Sequence, residues 1–232
     1  MVDEMKAHQE RLPKQESQFD IVDANLFIFR DAQEKKYKNI LVLEDDFFFH
    51  KEIRANRNCE SVDEFIEGKK DGELMYFLGC LPGLAIPCTT DLKHFSMCGT
   101  TTHSVIYSRQ YREGLLLVGQ EKILDWDVFQ CIHRPLSRYM YHMPLCYQLF
   151  PVTENSKNWG NQDPLMKYLC SLGFKCMQWM KLDVQVDPGY SGFYFFSKTW
   201  MFFLILWIFV LIFSIQQNKI GYTRFLRRLF VK

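Results

Sequence analysis

Apolar residues recur along this chain in two rhythms and then fuse into one unbroken block. Between Asp20 and Lys36, Ile21, Ala24, Leu26, Phe27 and Phe29 come first and most charges come later. That spacing predicts a helix, which feeds through Lys36-Tyr-Lys-Asn39 into a buried strand, Asn39–Leu43. A second helix is expected over Val62–Lys69, with Ser61 as its N-cap. Met75–Leu78 reads as a short buried strand, stopped by Gly79 and the Leu81-Pro-Gly83 turn. A long irregular stretch containing Pro87, Thr89 and Thr90 follows. The pattern then gives a strand at Thr102–Ser108 and helices at Gln110–Val118 and Trp126–Ile132. A last strand, Leu145–Phe150, stops at Pro151, before the polar loop Thr153–Gly160. Strands alternating with helices predict an α/β sheet with flanking helices.

The unbroken block is Trp200–Ile215, with Phe193 to Phe196 extending it upstream. Sixteen residues reach roughly 24 Å as a helix, just under the ~30 Å hydrocarbon core, and the upstream aromatics make up the difference. Tyr194 and Trp200 sit where an aromatic belt would lie, and Lys198 is placed to snorkel. We therefore expect a single-pass transmembrane helix over 193–216. It is preceded by a polar segment (1–19) and a folded domain (20–190), and followed by a basic amphipathic tail (217–232) suited to anionic lipid.

Charge sharpens that division. The net charge is +1, yet Lys219, Arg224, Arg227, Arg228 and Lys232 lie beyond the block with no acidic residue among them, which leaves the rest near −4. Such a body gives no footprint for nucleic acid. The basic tail argues for a cytosolic C-terminus and a domain in a lumen or outside the cell. Met1-Val-Asp-Glu-Met-Lys-Ala-His offers no apolar signal segment to carry the domain across, so the side it faces stays open. The eight cysteines form no C-x-x-C pair and no zinc spacing. Cys80, Cys88 and Cys98 share a loop-rich stretch and would be able to pair in an oxidising compartment.

The candidate chemistry stands at the end of the first predicted strand, where Glu44-Asp45-Asp46 follows an apolar run. Carboxylate oxygens in that position suit hard divalent cations such as Mg²⁺ or Mn²⁺. If the extended geometry persisted, Glu44 and Asp46 would share a face and Asp45 would point away. The bland alternative is a solvated acidic turn.

Five pieces in order resemble glycosyltransferase family 25, which includes bacterial lipopolysaccharide glycosyltransferases and procollagen galactosyltransferases. They are Lys36-Tyr-Lys-Asn-Ile-Leu-Val-Leu-Glu-Asp-Asp46, Met75-Tyr-Phe-Leu-Gly79, Thr101–Arg109 with Leu115–Leu117 behind it, Ile123-Leu-Asp-Trp126, and Pro144-Leu-Cys-Tyr-Gln148 with Ser156 downstream. The resemblance covers about residues 20–160. It implies a GT-A-like mixed sheet with flanking helices, a nucleotide-sugar donor of the UDP-sugar kind, and a metal at the carboxylates. Family members begin with an additional strand and helix, and nothing strand-like precedes Asp20 here.

On this reading Asp46 and Glu44 are the metal ligands and Asp45 touches the donor. Asp125 is the general base that deprotonates an acceptor hydroxyl, with Asp127 as second choice. His103, Gln148 and Ser156 are donor-binding, and Trp126 and Trp159 offer faces for sugar stacking. The expected activity is transfer of a sugar to a glycan, lipid-linked or protein acceptor at a membrane. The rivals are a catalytically inactive, shortened module of the same fold, and a metal-dependent phosphoryl hydrolase using the same carboxylates.

Overall fold

The computed structural model describes residues 17–69, 72–123, 126–133, 135–151 and 164–230. Helix α1 (Ser17–Glu34) leads into β1 (Asn39–Leu43), followed by a turn and β2 (Phe47–Phe49). Next come α2 (Asn56–Gly68), β3 (Met75–Phe77), β4 (Leu81–Pro87), β5 (His94–Thr100) and β6 (Ser104–Ser108). The chain continues through α3 (Arg109–Leu116), α4 (Trp126–His133), β7 (Arg138–Tyr141), β8 (Cys146–Gln148), α5 (Pro164–Trp179) and α6 (Gly189–Phe230).

Six strands form one mixed sheet in the order β1-β6-β3-β7-β5-β4, and β2 pairs with β8 in a separate antiparallel ribbon. Only β3 and β7 run parallel; the other pairings in the larger sheet are antiparallel. The α/β expectation holds.

Side-chain alternation on β3 explains the layering. Met75 and Phe77 enter one core with Val105, Tyr107 and Phe29, whereas Leu74, Tyr76 and Leu78 enter a second with Val62, Ile66 and Tyr141. Helix α1 covers the first core through Val22, Leu26, Phe29 and Ala32, all buried at helical spacing. Phe29 meets the Tyr107 ring edge-on at 4.9 Å, a burial that contributes about 2–3 kcal/mol. Edge strand β1 buries Val42 and leaves Leu41 exposed, so it presents one wet and one dry face.

Three local expectations are corrected. The stretch around Pro87 is the β4–β5 hairpin; β4 lies at the edge of the sheet, where proline costs no ladder hydrogen bond. Ser61 is no cap: α2 begins at Asn56, and the buried Ser61 hydroxyl lies 3.1 Å from His94 Nε2. Strand β7 and helix α5 had no counterpart in the predicted pattern.

Helix α6 has two halves. Tyr190, Tyr194 and Ser197 are buried at i, i+4, i+7 spacing, and the helix packs along β4. Lys198 donates to the His142 carbonyl and lies over the rings of Phe95 and Tyr194. From Phe202 to Phe213 large apolar side chains are exposed on every side. Gly189–Gln216, with mean hydropathy 2.2, is long and apolar enough to cross a membrane. The helix continues unbroken to Phe230, well past the predicted end of the span.

Gly79 lies where β3, β8 and the β5–β6 link meet. A methyl on it would sit 2.0 Å from the Cys146 carbonyl oxygen and 2.7 Å from His103 Nε2. Replacing Gly79 with Ala is expected to cost about 3 kcal/mol and lower the melting temperature of the full chain in detergent by about 6–12 °C. Gly173→Ala, in helix α5 with open space around it, should leave the melt unchanged or raise it slightly.

Candidate functional site

The acidic triplet sits where several strand ends converge. β1 ends at Leu43, opposite Ser104 at the start of β6, and Glu44 N–H continues the ladder by donating to the His103 carbonyl at 3.0 Å. Leu78, just past β3, accepts from both Leu145 and Cys146, which delivers β8 and Gln148 to the same end. The extended run does not survive past Glu44: Asp45 and Asp46 form a turn into β2. Glu44 and Asp46 nevertheless share a partner. The Gln148 amide nitrogen donates to Asp46 Oδ2 at 2.7 Å and, more weakly, to Glu44 Oε2 at 3.4 Å. Asp45 is exposed and stands apart from this bridge.

A third carboxylate arrives from α4. Thr102 Oγ1 lies 2.6 Å from Asp127 Oδ1 and 3.2 Å from Glu44 Oε1. A hydroxyl has one hydrogen and donates to one of these at a time. Both contacts are satisfied together when Glu44 carries a proton and donates to Thr102, while Thr102 donates to Asp127. The electrostatics agree. Burial first, then Asp127, then Asp46 push the Glu44 carboxyl up to about 7, against the opposing hydrogen bonds from Thr102 and Gln148. The ordered row is thus Asp46, Gln148, Glu44, Thr102, Asp127.

Backbone strain and a distant helix hold this row in place. Thr101 is buried and adopts φ 73°, a conformation that is uncommon for a β-branched residue and costs about 1–3 kcal/mol. Its hydroxyl accepts from Leu81 N–H at 3.2 Å, and the kink sets Thr102 against the carboxylates. On the other side, the Tyr190 hydroxyl in the first turn of α6 accepts from Gln148 N–H at 3.0 Å and donates to the Gln148 carbonyl at 3.2 Å. One phenol therefore closes both backbone groups of the residue that bridges Glu44 and Asp46.

Other expected site residues fall elsewhere. His103 is fully buried, and neither ring nitrogen has a well-formed hydrogen bond. Burial lowers its pKa to about 4, with the nearby Cys146 carbonyl as a small opposing influence. It acts through its own carbonyl, behind the acidic turn, rather than as a ligand on the open side. Trp126 is buried against Phe29, ring centroids 5.8 Å apart, and offers no face to a sugar. Asp125, Ser156 and Trp159 lie outside the described residues. Thr102 and Tyr190 were not foreseen. Thr102 had only its place beside the strand to mark it, and Tyr190 was hidden in the flank of the apolar block.

Chemically, the row offers an all-oxygen donor set. Among the described residues, no three His, Cys, Asp or Glu side chains gather closely enough to hold a metal unaided. Mg²⁺ and Mn²⁺ sites of the phosphate-binding kind need no such cage, because one or two carboxylates suffice when substrate phosphates and waters fill the remaining positions. Glu44 and Asp46, bridged by the Gln148 amide, fit that requirement.

The raised Glu44 pKa fixes a sign. Its proton is bound more tightly in the folded chain than in the unfolded one, so its contribution is present below pH 4.5 and is lost as pH rises through about 7. The buried, neutral His103 works in the opposite direction, its contribution being lost as pH falls from 6.5 to about 4. The difference between wild type and Glu44→Gln isolates the first effect. The variant should gain about 3 kcal/mol over wild type between pH 5 and pH 8, read from melting temperatures across a buffer series. A constant difference would mean that Glu44 titrates as an ordinary carboxylate.

No protein-family model matches the chain, and no curated protein matches it, so the chemistry of the site rests on its own residues.

Proposed function

We infer that this chain is a membrane-anchored, metal-dependent glycosyltransferase of the family 25 kind, which moves a sugar from a UDP-sugar to a glycan, lipid-linked or protein acceptor. The observation that carries the reading is the Gln148 bridge between Glu44 and Asp46, with Asp127 tied in through Thr102. A solvated acidic turn would have no reason to recruit a strand about 100 residues away in sequence, a strained threonine and a helix terminus.

Asp46 and Glu44 would hold Mg²⁺ or Mn²⁺. When bound, that cation neutralises the diphosphate that leaves as the glycosidic bond is exchanged. Gln148 orients both carboxylates, and Thr102 keeps Asp127 and Glu44 apart at a fixed separation. The resemblance gives Asp125 the role of base toward the acceptor hydroxyl. Asp127, two positions on, is the α4 carboxylate that meets the row through Thr102. Asp45, exposed beside the pair, is free to meet the donor sugar or ribose.

Helix α6 supports the membrane part of the reading. Apolar side chains exposed all round from Phe202 to Phe213 would be costly in water and are at ease in lipid. The helix that enters the bilayer is the same one whose Tyr190 closes the backbone of Gln148.

Calorimetry of the full chain in detergent against UDP, with and without Mn²⁺, tests the proposal. Binding heat should appear only with Mn²⁺ and vanish in Asp46→Ala, and Gln148→Ala should weaken binding by about 10-fold. Heat that is the same with and without metal, or none at all, would favour the inactive module of the same fold.

A further inference from the structure

Cys98 and Cys131 are separated by 33 positions in sequence, yet their sulfurs lie 3.8 Å apart. Cys98 is on the outer side of β5, exposed between the buried Met97 and Gly99. Cys131 is half-buried on α4, one helical turn after Asp127 and on the same face. Cys98 to Cys131, from β5, and Thr102 to Asp127, from the link that follows it, are therefore two rungs on the same helix. The pairing expected from sequence among Cys80, Cys88 and Cys98 is not the one the fold brings together. Cys80 is fully buried, with its sulfur 3.9 Å from Met140 and 3.6 Å from the Tyr194 hydroxyl.

A charge accompanies the pair. Arg138 is buried and donates from Nη2 to the carbonyl of Gly99, next to Cys98, at 2.7 Å, while Nε and Nη1 have no hydrogen-bond partner among the described residues. Its guanidinium favours the Cys98 thiolate, whereas burial and the adjacent Cys131 hold the thiol pKa up. The Cys98 thiol is thus less reactive near neutrality than an ordinary cysteine and more reactive as pH rises.

We propose that Cys98 and Cys131 form a disulfide that pins α4 to β5 when the domain meets an oxidising thiol–disulfide couple. With glutathione disulfide as oxidant, one cysteine thiolate attacks a glutathione sulfur and expels a glutathione thiolate, which leaves a mixed disulfide. The second cysteine thiolate then attacks the protein-side sulfur and expels the second glutathione. Two protein thiols and one glutathione disulfide become one cystine and two reduced glutathiones, with protons and electrons balanced. Closing from 3.8 Å to the ~2.05 Å bond asks for a side-chain rotation at two residues whose helix and strand already touch.

The test uses the full chain in detergent, equilibrated at pH 8 with oxidised or reduced glutathione, then alkylated, digested without reduction and mapped by mass spectrometry. The oxidised sample should yield a peptide pair joined through Cys98 and Cys131 that dithiothreitol separates. In Cys131→Ser the cross-linked peptide should be absent, and Cys98 should be recovered alkylated or as its mixed disulfide with glutathione. Closing this loop should also raise the melting temperature of the wild type by about 10 °C over the reduced sample. Free alkylation of both cysteines in oxidised wild type, or a link from Cys98 to Cys88, would overturn the proposal, and the wild-type map decides even if the variant does not fold. Because the readout is covalent, it is independent of whether the acidic row binds a nucleotide-sugar.

Discussion

Three carboxylates drawn into one row, with the neutral donors Gln148 and Thr102 between them, is the constraint on which the rest of this structure depends. Glu44 is the centre of that constraint: it is partly buried, flanked by Asp127 and Asp46, and hydrogen-bonded to Thr102 and Gln148. Unpaired charge in such a place costs several kcal/mol. A fold that merely needed a stop after β1 would be more stable with other residues there. The chain instead commits the ends of β1, β3, β6 and β8 and the start of α4 to keeping the acids together.

The supports of the row come from the β5–β6 link and from α6. Thr101, at φ 73°, stores strain beside Thr102. Tyr190 reaches in from α6 and fixes Gln148 through its backbone, which leaves the Gln148 amide to the acids. The first turns of α6 are thus part of the site's scaffold, and its later turns are the apolar stretch suited to lipid.

What the sequence made legible follows from which signals are local. The apolar run Asn39–Leu43, the acidic triplet and the lipid-like block are continuous in the chain, and each was visible. The β4–β5 hairpin was not, because Pro82 and Pro87 read as loop until the strand is known to lie at an edge. Ser61 looks like a cap in isolation, but its hydroxyl is spent on His94 in the second core. His103 was expected to serve by its imidazole and serves by its carbonyl. Thr102 meets Glu44 across 58 residues of chain, Tyr190 meets Gln148 across 42, and Gln148 meets Glu44 across 104, and no periodicity encodes such meetings. Gln148 is legible only through the family resemblance, and the contact of Asp127 with Thr102 is not legible, because spacing alone does not tell which way a helix faces.

The most direct measurement is a carbon-13 NMR titration of carboxyl-labelled glutamate in the full chain, with Glu44→Gln to assign the signal. Glu44 should titrate near pH 7 alone and move down by more than about one unit when Mg²⁺ or Mn²⁺ binds, because a nearby cation favours the charged form. Diamagnetic Mg²⁺ keeps the signal observable. A Glu44 carboxyl that titrates near 4.5 with and without the cation would mean that the acidic row is no cation seat.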